Sequence, residues 1–128
     1  MKNGFTLIEL ICVITILGLI ALIAVPTVNT MIQNSKKEAY EEQIVTIEKT
    51  AKTYMSKNSL ELPKDDETVC VSIEKMQKGG FLSKEDIENP LYKKGSTVAE
   101  EKNATFSGGV NVSWNGNKYI YEYVTSCN

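Results

Sequence analysis

The chain has 128 residues, is 42% hydrophobic and carries a formal net charge of −2, which allows one modest core once any membrane segment is set aside. It has no histidine, and all 14 of its cations are lysine. The commonest general base and transition-metal ligand is therefore missing, and so is the guanidinium fork that reads phosphates and base edges. The composition argues against an enzyme, a cofactor or metal site, and direct nucleic-acid binding.

The N-terminal stretch sets the class of protein. Lys2-Asn3-Gly4 leads into Phe5-Thr6-Leu7-Ile8-Glu9 and a nearly unbroken apolar run from Leu10 to Val25, closed by Pro26. Phe5 to Val25 is 21 residues with one charge, Glu9. As a helix it reaches across a hydrocarbon core of about 30 Å. A secretory signal has its small residues after the apolar run; here Gly4 precedes it, and cleavage at Gly4 leaves the helix on the mature chain. A carboxylate within such a helix costs roughly 2.5 to 3.5 kcal/mol at the membrane centre, so Glu9 either reaches back to the interface or serves a function.

These residues resemble the class III signal of type IV pilins and pseudopilins, with Gly4, Phe5 and Glu9 at the motif positions. The resemblance covers about the first quarter of the chain. It implies a leader, residues 1–4, that a prepilin peptidase removes on the cytoplasmic side, with N-methylation of the new Phe5 amine. It implies that Glu9 pairs with the terminal amine of a neighbouring subunit and sets the stagger of assembly. Residues 5–28 would be the membrane and filament-core half of the long helix, and residues 29–128 the head. Gly18 and Pro26 interrupt the apolar run; Pro26 removes an amide donor and crowds the carbonyl of Leu22. The resemblance makes Gly18 to Pro26 an extensible segment, and the alternative is a static kink.

Beyond Pro26 the pattern becomes periodic. Tyr40, Ile44, Ile47, Ala51 and Tyr54 recur at spacings of 4, 3, 4 and 3, the signature of an amphipathic helix. Glu48 and Lys52 stand at attractive i, i+4 spacing. No turn cluster separates the two halves, so one helix runs from Phe5 to about Lys57, on the order of 80 Å if unbroken. Its apolar stripe must bury against the rest of the chain or another subunit. Asn58, Ser59 and Pro63 end it. Lys64-Asp65-Asp66-Glu67 is a solvated loop that lacks the spaced acidic ligands of a calcium loop.

Cys70 to Pro90 reads as two short helical turns. Ser72 caps Ile73 to Lys78, which Gly79-Gly80 stops, and Ser83 caps Lys84 to Glu88, which Asn89-Pro90 ends. Cys70 to Leu91 loosely resembles the connecting region of Gram-positive pilins and pseudopilins. Val110, Val112 and Trp114 alternate, Asn115-Gly116 signals a tight turn, and Lys118 to Thr125 is rich in tyrosine and β-branched residues, which together predict a hairpin. A third strand near Thr105 to Ser107 would complete a small antiparallel sheet. In the last strand either Tyr119, Tyr121 and Tyr123 face the core, or they form an exposed stripe opposite Ile120 and Val124.

Cys12 lies in the apolar run, leaving Cys70 and Cys127 as a pair outside the membrane. A disulfide there would close a loop of about 58 residues and contribute roughly 4 kcal/mol on the chain-entropy view; the alternative is two buried thiols. The expected architecture is α+β: a long membrane-spanning then amphipathic helix packed on a small C-terminal antiparallel sheet.

The resemblance implies a structural subunit of a type IV pilus, a homo-oligomeric filament. Its partners would be other pilins, the prepilin peptidase, the assembly machinery and the membrane. The subunit would reside in the cytoplasmic membrane before assembly and at the cell surface afterwards, in adhesion, motility or surface colonisation. Two other readings stay open: a pseudopilin of a type II secretion or competence DNA-uptake apparatus, and a single-pass membrane protein with an extracellular partner-binding domain.

Overall fold

A computed structural model describes residues 4–127; the first three residues of the expected leader and Asn128 lie outside the described residues. Helix α1, Leu7–Lys57, is followed by a 3-10 turn at Ser59–Glu61, strand β1 (Thr68–Ser72) and helix α2 (Ile73–Lys78). A second 3-10 turn at Glu85–Ile87 precedes strands β2 (Gly109–Trp114) and β3 (Tyr119–Val124). The strands form one antiparallel sheet in the order β1-β2-β3. This is the expected α+β arrangement. The chain divides into two compact units, one ending at Ser35 and the other running from Lys36.

The second unit, called the head below, has its core where the amphipathic half of α1 meets the sheet. Ile47, Ala51, Tyr54 and Met55 are buried along one stripe of α1, with Tyr40 and Ile44 packed at its margin. From the sheet come Val71, Val110 and Val112. Register explains the selection: Val69, Val112 and Tyr121 align across the strands, as do Val71, Val110 and Tyr123, so both rows share one face. The tyrosines of β3 therefore pack on the core, while Ile120 and Glu122 are exposed. Phe106 joins the rings, lying 5.2 Å from Tyr40 and 5.7 Å from Tyr123. At the end of α1 the Tyr54 carbonyl accepts two bonds from Asn58, one from its backbone N–H at 3.0 Å and one from its side-chain amide at 2.9 Å.

Local chemistry accounts for the joints. Ser72 Oγ accepts the Lys75 N–H at 3.1 Å and caps α2 as expected. The Phe81 N–H then reaches the Met76 carbonyl at 2.9 Å across Gly80, whose φ of 80° favours glycine. In the hairpin, Asn115 Oδ1 accepts the N–H groups of Asn117 and Lys118, and Gly116 takes a φ of 92°.

Several expectations are corrected. The third strand is Thr68–Ser72, beside β2; Thr105 makes only an isolated bridge with Glu88. Cys70 and Val71 thus lie in a strand and not at the start of a helical turn, because Val69 and Val71, on either side of Cys70, pair with Val112 and Val110 in one apolar row. The turn expected over Lys84 to Glu88 shortens to Glu85–Ile87, with Ser83 bonded to the Asp86 carboxylate through both its N–H and its hydroxyl. Glu48 does not pair with Lys52: the ion pairs among the described residues are Lys75 with Glu61 and Lys78 with Glu74. It turns instead to the sheet, where burial and then the nearby Glu122 raise its carboxyl above the ordinary value and the Tyr123 backbone partly offsets them.

Residues 88–105 form a compact surface loop with a closed neck. Asn89 N–H donates to the Ala104 carbonyl at 3.0 Å, and the Phe106 N–H to that of Ile87 at 2.7 Å. The Asn89 side chain donates to the carbonyls of Glu100 and Asn103, both at 2.8 Å, and accepts the Leu91 N–H. One side chain thus ties three points of the loop.

Candidate functional site

Gly4, Phe5 and Thr6 precede the first helical residue, Leu7. Gly4 is exposed and open on its Cα, and the Phe5 side chain is 88% exposed. The rest of the described chain leaves both residues uncovered.

Glu9 is held by a reciprocal pair of hydrogen bonds. Its carboxylate accepts the Thr6 N–H at 3.0 Å, and Thr6 Oγ1 accepts the Glu9 N–H at 3.2 Å. This is a capping box, in which the residue before the helix and the third residue within it satisfy each other's open donors. The carboxylate also lies at the helix N-terminus, where the peptide dipoles favour negative charge. The spacing Thr-x-x-Glu was legible, but the cost of a charge in an apolar run drew attention to Glu9 alone. Thr6 is the residue that reading missed.

The rest of the N-terminal unit is uncovered. Every residue from Leu7 to Lys37 is exposed, Leu22 and Ile23 each to 74%. Polar side chains here satisfy themselves: the hydroxyls of Thr15, Thr27 and Thr30 donate to the carbonyls of Ile11, Ile23 and Pro26. Gly18 and Pro26 lie within continuous α1, and a Cβ added to Gly18 would meet nothing within 4 Å. Cys12 is a free thiol on this surface. The helix is long and apolar enough to cross a membrane.

At the other end of the chain, Cys70 in β1 and Cys127 after β3 are joined as a disulfide, with Cα atoms 5.6 Å apart. Gly109 makes room for it: a Cβ there would stand 2.6 Å from Cys127 Sγ and press on the Val71 carbonyl. The bond links the two outer strands across β2.

This arrangement offers an uncovered peptide, a capped carboxylate and a bare helix, which suit processing and packing. The chain's N-terminus matches the prokaryotic N-terminal methylation motif over residues 1–25. It carries the signal of the type IV pilin and pseudopilin family. The motif points to a structural protein and covers the part of the chain that holds Gly4, Phe5, Thr6 and Glu9. No curated protein and no solved structure matches the chain.

Proposed function

We propose that the chain is a structural subunit of a type IV pilus. The observation that carries this is the bare helix. Seventeen large apolar side chains between Phe5 and Ile32 are exposed. At about 1.5 to 3 kcal/mol for each such side chain removed from water, leaving them wet costs tens of kcal/mol. The helix is stable only in lipid or among like helices, and polymerisation exchanges one of these surroundings for the other.

In this reading a prepilin peptidase cuts between Gly4 and Phe5 at the cytoplasmic face of the membrane and the Phe5 amine is methylated. That amine arises beside Thr6, within reach of carboxylates such as Glu9 on a neighbouring subunit. Glu9 fixes axial position during assembly. Gly18 to Pro26 supplies the segment that extends when subunits pack, because the proline leaves the Leu22 carbonyl without its usual donor. The oxidised Cys70–Cys127 pair holds the head, which faces outward on a surface filament. Assembly machinery and other pilins are the partners.

Intact mass spectrometry of material sheared from cells, set against their membrane fraction, tests the proposal. An abundant species beginning at methylated Phe5 in the sheared material is the expected result. The same species confined to the membrane would replace a pilus with a pseudopilin. A chain that keeps residues 1–4 in cells with an active prepilin peptidase would overturn both.

A further inference from the structure

Within the head, the apolar row of the sheet runs on past the end of α1. Val110 and Val112 in β2 are fully buried, while Trp114 and Tyr119, which continue the same face and pair across β2 and β3, stay partly open. The helix ends at Lys57, and the segment of residues 59–65 stands beside the two rings. An open cavity of about 600 Å³ lies there. It is lined by the rings, whose centroids are 4.8 Å apart with their planes tilted by 58°, and by the polar side chains of Ser59, Lys64 and Asp65. Asp66 and Glu67 line no part of it, so its charges are one cation and one anion. Among the described residues, no hydrogen bond or ion pair engages the Trp114 indole N–H, the Tyr119 hydroxyl or the side chains of Ser59, Lys64 and Asp65. The frame is nevertheless fixed. Leu62 packs against the core, Pro63 is buried, the Tyr54 hydroxyl donates to the Glu61 carboxylate at 3.1 Å, and Asn115 clamps the hairpin. The cavity therefore needs little ordering to receive a ligand.

We propose that this cavity binds a pyranose unit of a neutral saccharide. The face of a pyranose that carries axial C–H groups is electropositive and fits the electron-rich face of an indole or phenol ring. Its hydroxyls both donate and accept. That suits a lining with donors at Trp114 and Lys64, an acceptor at Asp65 and groups of either kind at Ser59 and Tyr119. The paired charges of Lys64 and Asp65 give an ionic ligand of either sign no net attraction. The volume falls in the ordinary range of small-molecule sites, roughly 300 to 1,000 Å³. A proline-rich segment also docks on aromatic side chains, but its prolines have no backbone N–H to give Asp65. The inference stands apart from the filament reading, since it concerns the head alone.

Trp114 is the chain's one tryptophan, so its fluorescence reads the site directly. The full chain is held in a zwitterionic detergent that has no sugar headgroup and is titrated with chitotriose, maltotriose and an uncharged proline-rich peptide. At least one trisaccharide should shift the emission saturably, with a Kd of about 0.1 to 10 mM. Tighter binding of chitotriose assigns the source to glycans of N-acetylated amino sugars, as in a cell wall, and tighter binding of maltotriose to hexose glycans. Asp65→Ala, at an exposed loop residue, should weaken binding at least about fivefold with the urea midpoint unchanged. Trp114→Leu, read by saturation-transfer NMR on the saccharide protons, should remove binding, and Asp65→Ala decides the matter where that variant weakens the fold. No saturable shift from either trisaccharide up to about 50 mM, a shift from the peptide alone, or saccharide binding that Asp65→Ala leaves unchanged would overturn the proposal.

Discussion

Removing the disulfide should cost the head a large part of its stability. Cys70 and Cys127 are 57 residues apart, and releasing a cross-link of that span returns about 4 kcal/mol of chain entropy to the unfolded state. A domain of roughly 90 residues has about 5 to 14 kcal/mol in all, so the loss is more than about a quarter of the total. The perturbation is Cys70→Ala with Cys127→Ala, made together so that no odd thiol is left, in a Cys12→Ser background that prevents exchange. Urea unfolding of the full chain in detergent, followed by the fluorescence of Trp114, reads the head because that ring lies 4.8 Å from the Tyr119 ring, tilted against it. With an m value of about 1 to 2 kcal/mol per molar, the midpoint should fall by about 2 to 4 M. A fall below about 0.5 M would refute the reasoning, since it would mean that β1 and the segment after β3 are held by the sheet alone.

Other perturbations probe separate parts. Gly109→Ala should destabilise the head and slow oxidation of the Cys70–Cys127 pair, measured by thiol labelling during refolding, because a Cβ intrudes on both Cys127 Sγ and the Val71 backbone. Met55→Ala, which empties a fully buried site, should cost about 2 to 5 kcal/mol in the same urea assay. Glu48 has a raised carboxyl pKa in the folded head, so its contribution is full below the ordinary value and is lost as pH rises through the folded value. Glu48→Gln should remove that decline, so that the stability of the variant relative to wild type rises across this window when urea midpoints are compared from pH 4 to 7. Thr6→Ala breaks the capping box and should fray the first turn at a cost of about 1 kcal/mol, read as faster amide exchange at Thr6 to Glu9 in detergent with the head unchanged.

What could be read ahead of the structure was local. The stripe Tyr40, Ile44, Ile47, Ala51, Tyr54 encodes its own helix because each residue meets the next within one turn. Ser72, Gly79-Gly80 and Asn115-Gly116 encode caps and turns through bonds that span a few residues. Strand β1 was hidden because its pairing with β2 joins Val71 to Val110, and no local period in five residues announces so distant a partner. The surface loop was hidden for the same reason, since Asn89 acts on Glu100 and Asn103. Glu48 was assigned to Lys52 by helical spacing, yet it lies against the sheet beside Glu122 and the Tyr123 backbone. At the N-terminus, the family motif gave Gly4, Phe5 and Glu9, while the capping role of Thr6 lay in a spacing that the charge of Glu9 overshadowed.

On the proposed pathway, the polar groups of the N-terminal unit govern the exchange between lipid and filament. Apolar side chains gain little on passing from hydrocarbon to a bundle of like helices, since the two surroundings are equally apolar. The hydroxyls of Thr15, Thr27 and Thr30 are already bonded within the helix, so they too weigh equally on both sides. What differs is the Glu9 carboxylate, which in the single chain leans on one backbone N–H at 3.0 Å. One donor leaves most of its acceptor capacity open, and a cationic amine on a neighbouring copy would fill it with a charge-assisted bond in an apolar medium. On the proposed pathway the processed amine and Glu9 therefore set the direction of assembly, while the length of the bare helix sets only how strongly the subunit is kept out of water.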